Sequence, residues 1–243
     1  MSLSSATQNA IALALSELEN NPQRQLSPKN RLKIYDSFGE QIDLTQLTKT
    51  KTNKFETLTP GYQRYIYLNL LTLMHIMPIW DADMPRFRAE APSNLANIDK
   101  LPHYILQTAQ SVLQQNYSQE MLEQLNQDFL GAIESLPLIF KYDVTEVAVA
   151  AYSFFLTVNH HTPFYTQDNS TTEIPLETAT DIEFYRNNRN WDVAWHASQA
   201  ICAIDKDPIG SQERNPIVYD IQKRFEFWQW WLSEAVPQAV ELV

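Results

Sequence analysis

Four glycines in 243 residues, Gly39, Gly61, Gly131 and Gly210, constrain what this chain can fold into more than any other feature. Glycine accepts the left-handed backbone of tight turns, and it makes up about 7% of an average protein. A chain so poor in it cannot supply the hairpins of an all-β architecture. It also cannot build loops in which several glycines let the backbone approach phosphate, and neither G-x-G-x-x-G nor G-x-x-x-x-G-K-[ST] occurs. Helix is left as the main element. Hydrophobic residues at 44%, six of them Trp, are ample for a packed core.

The helical pattern runs the length of the chain. Ile11, Leu13, Ala14, Leu15 and Leu18 mark a first amphipathic helix that ends near Asn20-Asn21-Pro22, where proline forbids continuation. Ser27-Pro28 reads as an N-cap followed by proline at the first helical position, opening a second helix that stops at Gly39. Residues 41–58, rich in Thr, Lys and Gln, read as a basic connection, which predicts a small helical appendage and linker over 1–58 and a main helical domain over 59–243. Thr59-Pro60 repeats the cap signature before a stretch to Met77 that is apolar on nearly every face, and Pro78 and Pro85 predict a turn after it.

A short piece is expected near Asn94 to Ile98, then helices over about 101–116 and 118–134 as an antiparallel pair, and a helix Val144 to Val158 capped by Asp143. For that last stretch, strand competes on composition and helix wins on length. Residues 159–175 read as a long loop. A helix over roughly 178–204, with a break near Asn187-Asn188, and one from Pro216 to about Ala235 complete an all-α domain of about eight helices. In the last helix Ile221, Phe225, Trp228, Leu232 and Ala235 share one face, which must be buried.

Charge narrows the partners. The net charge is −11, and between Glu120 and Glu183 eleven acids face Lys141 alone. Nucleic acid and anionic membrane both need basic patches, so a basic protein is the natural complement. The longest apolar run, Tyr65 to Trp80, is broken by Asn69 and His75 and is shorter than the roughly 20 residues of a bilayer span. With no secretory signal legible at the N-terminus and one cysteine, Cys202, the expected location is the cytoplasm.

Catalytic and metal constellations are not legible. Of five histidines, His75, His103, His160, His161 and His196, none falls in H-E-x-x-H or E-x-x-H spacing. Cys202 sits in an apolar setting, and His196, six residues earlier, lies off its helix face. Asp81 with Asp83 beside Trp80, or Asp181 with Glu183, are carboxylate pairs that sequence gives no reason to prefer as acid and base. A metal-dependent helical enzyme using His160, His161 or His196 with carboxylates is the alternative reading. Among the aromatics, Trp191 and Trp195 lie four apart on one helix face, whereas Trp230 falls off the buried face of the last helix and is the one expected to meet a partner.

Two stretches carry a resemblance. The run His75-Ile76-Met77-Pro78-Ile79-Trp80-Asp81 and the terminal Phe227-Trp228-Gln229-Trp230-Trp231-Leu232-Ser233-Glu234-Ala235-Val236-Pro237-Gln238-Ala239 resemble an all-helical family of immunity proteins from bacterial polymorphic toxin systems, in order of elements over residues 60–240. The resemblance implies neutralisation of a cognate toxin by tight binding, with no catalysis, cofactor or metal. It carries over no functional residue, so the interface is predicted from charge: Glu173, Glu177, Asp181 and Glu183 capture a basic toxin domain, with Trp230 as an anchor.

Overall fold

The computed structural model describes residues 3–39, 59–90, 98–114, 116, 120, 124, 125, 127, 141–160, 192–204 and 217–243. The fold is all-α: α1 spans Ser5–Asn20, α2 Pro28–Asp36, α3 Pro60–Glu90, α4 Leu101–Leu113, α5 Tyr142–His160, α6 Val193–Cys202 and α7 Ile221–Trp230, which runs on through a π turn, Trp231–Ala235, into a last helical segment Val236–Glu241. Among the described residues the only strand-like pairing is one antiparallel bridge between Ala203 and Tyr219.

Helix starts follow the capping residues. The Ser4 hydroxyl accepts from Thr7 N at 3.1 Å, Ser27 from Asn30 N at 3.3 Å, and Thr59 from Tyr62 N at 3.2 Å. Each satisfies one of the first-turn amides that a helix leaves without an internal partner. The second helix gives way to Gly39, whose φ of 104° lies in the left-handed region that only glycine enters without strain.

Three expectations are corrected. The chain does not turn at Pro78: α3 continues through Pro78 and Pro85 to Glu90. Both prolines, seven residues apart, are exposed, as are Met74 and Asp81 four residues before them, so water can satisfy the carbonyls that proline leaves without a donor. The opposite face keeps its period across them, with Leu73, Ile76, Met77, Trp80, Met84 and Phe87 all buried. The helix expected over 178–204 is interrupted at Asp192, which has an extended backbone and caps α6, while the break expected at Asn187-Asn188 lies outside the described residues. The final helix starts at Ile221, capped by Asp220, and runs past Ala235. The buried face of α7 holds Arg224, Phe227 and Trp228, which leaves Ile221 40% exposed and Phe225 half-buried; through the π turn and beyond, Trp231, Leu232, Ala235, Val236 and Ala239 continue the core.

Helix α5 is helix as expected, but it starts at Tyr142, so Asp143 stands within its first turn, accepting from Val144 N at 3.0 Å, rather than as its cap; α5 packs most extensively against α6 and then α3. Helix α4 covers another side of α5, and α7 with its continuation closes over α6 and α3. Ala10, Ala14, Leu18, Ile34, Tyr35 and Phe38 of the N-terminal region belong to the same core as these helices. The expected 118–134 helix, the 159–175 loop and the 41–58 connection lie almost entirely outside the described residues, except that α5 runs through the loop's first two positions, 159 and 160.

Candidate partner-binding face

The two resemblance-bearing stretches, about 150 residues apart in the chain, meet in space. The Trp231 indole N–H donates to Thr72 Oγ1 at 3.0 Å, one turn before His75. His75 stacks on Trp230 with ring centroids 3.7 Å apart and planes 15° from parallel, and Phe227 lies beneath, 5.8 Å from Trp230 and 6.1 Å from His75. Within each stretch the alternate residues do different work. Ile76, Met77, Trp80, Trp228, Trp231 and Leu232 are buried, whereas His75, Pro78, Gln229, Ser233 and Glu234 face solvent.

This leaves an aromatic pair at the surface on a buried base. Phe227 is 2% exposed, Trp230 half-buried, His75 exposed, and the neighbouring Met74 is 51% exposed. Helical spacing puts Glu226 and Glu234 one turn either side of Trp230, and both are exposed. Glu226 accepts from Gln222 Nε2 at 2.9 Å. Partial burial holds the His75 imidazole below its ordinary pKa, and the Glu234 charge opposes that shift without reversing it. At neutral pH the ring is therefore neutral, and the face carries net negative charge.

Glu173, Glu177, Asp181 and Glu183 lie outside the described residues; Trp230 is at the surface, on the stack. The acidic run also loads the interior: Asp143 and Glu146 are buried, so not every acid counted between Glu120 and Glu183 contributes to the surface field. His75 was not singled out by sequence reasoning. Its only signal was a polar residue interrupting an apolar run, and its partner is 155 positions away.

The candidate chemical groups divide in two: a buried chain of contacts runs from His196 through Glu146, Tyr142, Tyr219 and Arg224 to Cys202, whereas the paired aspartates part. His196 Nδ1 and Glu146 Oε2 are 2.7 Å apart in the core. The Tyr142 phenol, held well above its ordinary pKa by burial and then by the Glu146 charge, lies 3.1 Å from the Tyr219 hydroxyl. Cys202 is buried, with Arg224 Nε 3.3 Å from its sulfur, and burial pushes the thiol up in spite of the guanidinium. Asp81 is exposed and meets His103 at 2.8 Å, whereas Asp83 is buried against Arg86 at 2.7 Å, so the two do not converge. Burial would raise the Asp83 pKa, but Arg86 and Lys141 outweigh it and the carboxyl is lowered. His161 and Trp191, and the side chain of His160, lie outside the described residues. Among the described residues no three His, Cys, Asp or Glu come together as a metal site would need.

A second buried cluster ties the N-terminal helices to the body. Arg31, fully buried, lies 3.1 Å through Nε from each oxygen of Asp192, and the Tyr35 hydroxyl donates to Asp192 Oδ2 at 2.8 Å. Asp192 Oδ1 also caps α6 by accepting from Trp195 N at 2.8 Å. One carboxylate thereby ties α2 to the start of α6.

No helix among the described residues is long and apolar enough to cross a membrane. No curated protein matches the chain. The family model described as immunity protein Imm5 matches residues 11–238, from the middle of α1 into the last helical segment. On that match the chain belongs to the Imm5 immunity protein family.

Proposed function

We propose that this chain is a non-enzymatic, cytoplasmic immunity protein that neutralises a basic toxin domain by occluding it. The observation that carries the reading is the family match over residues 11–238. The net charge of −11 supports a basic partner, because opposite potentials speed encounter and suppress wrong partners. Glu173, Glu177, Asp181 and Glu183 supply the capture surface, and Trp230 supplies an anchor whose rigid ring costs little entropy to order. No cofactor, metal, nucleic acid or membrane takes part.

Co-expression tests this directly. Any toxin gene found beside this one is expressed with and without the chain; growth rescue together with a stable complex on gel filtration is expected. Rescue by sub-stoichiometric chain, or chemical modification of the toxin, would instead favour the metal-dependent enzyme. Absence of both rescue and complex would remove the reading.

A further inference from the structure

The surface stack has features that a buried aromatic contact does not need. Two rings stacked 3.7 Å apart would be best hidden together, yet His75 is exposed, Trp230 half-buried, and Met74 beside them 51% exposed. Glu226 and Glu234 stand on the exposed side of the same helix, one turn before and one turn after Trp230, with Glu241 a further two turns on. Glu234 is close enough to act on the His75 ring. The cation on this helix face is Lys223, two turns before Trp230. Apolar, planar and negative groups are thus gathered at one place.

We infer that the His75–Trp230 stack, flanked by Glu226 and Glu234, is the seat for a single arginine side chain of the toxin, a deepening that rests on the toxin-binding reading above. Charge complementarity selects a cation, and the flat indole selects the planar one. A guanidinium stacks on an aromatic face and keeps its N–H edges free for carboxylates, whereas an ammonium is a compact, strongly hydrated point charge. Glu226 and Glu234, one helical turn before and after Trp230 and both exposed, are the carboxylates within reach of such a group. A neutral His75 adds ring surface without adding repulsion. Phe227 and the core beneath keep the floor from collapsing, so the seat exists before the partner arrives.

The experiment measures Kd for the full chain and the neighbouring toxin domain by calorimetry, with the variants Trp230→Ala, Trp230→Phe, His75→Ala and the double E226Q/E234Q. Expected is at least a tenfold loss for Trp230→Ala, roughly the size of an interface hot spot. A smaller loss is expected for Trp230→Phe, and a several-fold loss for E226Q/E234Q, whose exposed glutamines leave the fold intact. Full-strength binding by Trp230→Ala and E226Q/E234Q overturns the seat while leaving the immunity reading standing. If the wild-type chain binds no toxin, the immunity reading falls and a second probe decides the seat. N-acetyl-arginine amide is titrated into the wild-type chain while the Trp230 indole N–H resonance, assigned by its loss in Trp230→Phe, is followed. A shift that E226Q/E234Q abolishes and that the lysine analogue does not reproduce upholds the seat; no shift, or an equal one with lysine, sinks it.

Discussion

At the scale of single residues, the side chains with most at stake are charged and inside. Arg31 and Asp192 are both buried and bonded to one another. Removing one partner of such a pair strands the other in a medium that cannot solvate it. Asp192→Ala is therefore expected to destabilise the fold by about 3–5 kcal/mol in urea unfolding, whereas Tyr35→Phe, which removes one donor of several, should cost about 1 kcal/mol. A loss under 1 kcal/mol for Asp192→Ala would mean that water reaches Arg31. His75 acts in the opposite sense. Its imidazole titrates lower in the folded chain than in the unfolded one, because burial penalises the charged ring. The unfolded state then binds more protons, so the His75 contribution to stability is fully present above the ordinary imidazole pKa of about 6.5. It is lost as pH falls from there through the folded value. His75→Gln should flatten that part of the stability profile, measured as unfolding midpoints from pH 7.5 downwards, and an unchanged slope would contradict the assignment. Neither pairing was legible in the sequence, since 161 residues separate Arg31 from Asp192 and 155 separate His75 from Trp230. A local pattern carries no record of which distant residue will face it.

At the scale of the element, legibility depended on whether the deciding signal was local. Ser27 and Thr59 act within one turn, and the helices they open start where sequence placed them. Proline is also a local signal, but its meaning is not local. Pro78 and Pro85 break a helix when their freed carbonyls have nowhere to turn, and they are tolerated where both lie on the wet side. Only the tertiary structure says which side is wet, although the unbroken apolar period from Leu73 to Phe87 carried the hint. The π turn at Trp231–Ala235 was hidden for the same reason, since it answers to the packing of Trp228 and Trp231 at once. Because both prolines occupy exposed helical positions, Pro78→Ala and Pro85→Ala restore a helix donor where no core contact is lost. Each should raise stability by about 1–3 kcal/mol, read as a higher unfolding midpoint. A decrease would show that α3 needs its prolines to fit over α5.

At the scale of the whole molecule, charge and shape divide the work of binding, and kinetics can separate them. A net charge of −11 sets up a field that extends about 8 Å at physiological salt and further at lower salt. A field of that reach acts on approach, so it governs the association rate. An inserted side chain acts only at contact, so it governs residence. Reversing Glu173, Glu177, Asp181 and Glu183 to lysine moves the net charge to −3, each reversal adding two units. The expected result is an association rate about tenfold lower at low salt, converging on wild type as salt is raised, with the dissociation rate little changed. Trp230→Ala should do the reverse, leaving association and its salt dependence near wild type while dissociation quickens about tenfold or more. Stopped-flow or surface-binding kinetics over a salt series measures both rates at once. If the four reversals quicken dissociation as strongly as Trp230→Ala does, those acids lie in the contact rather than around it. If they change neither rate, the acidic segment takes no part, and the stack on α3 and α7 carries recognition alone.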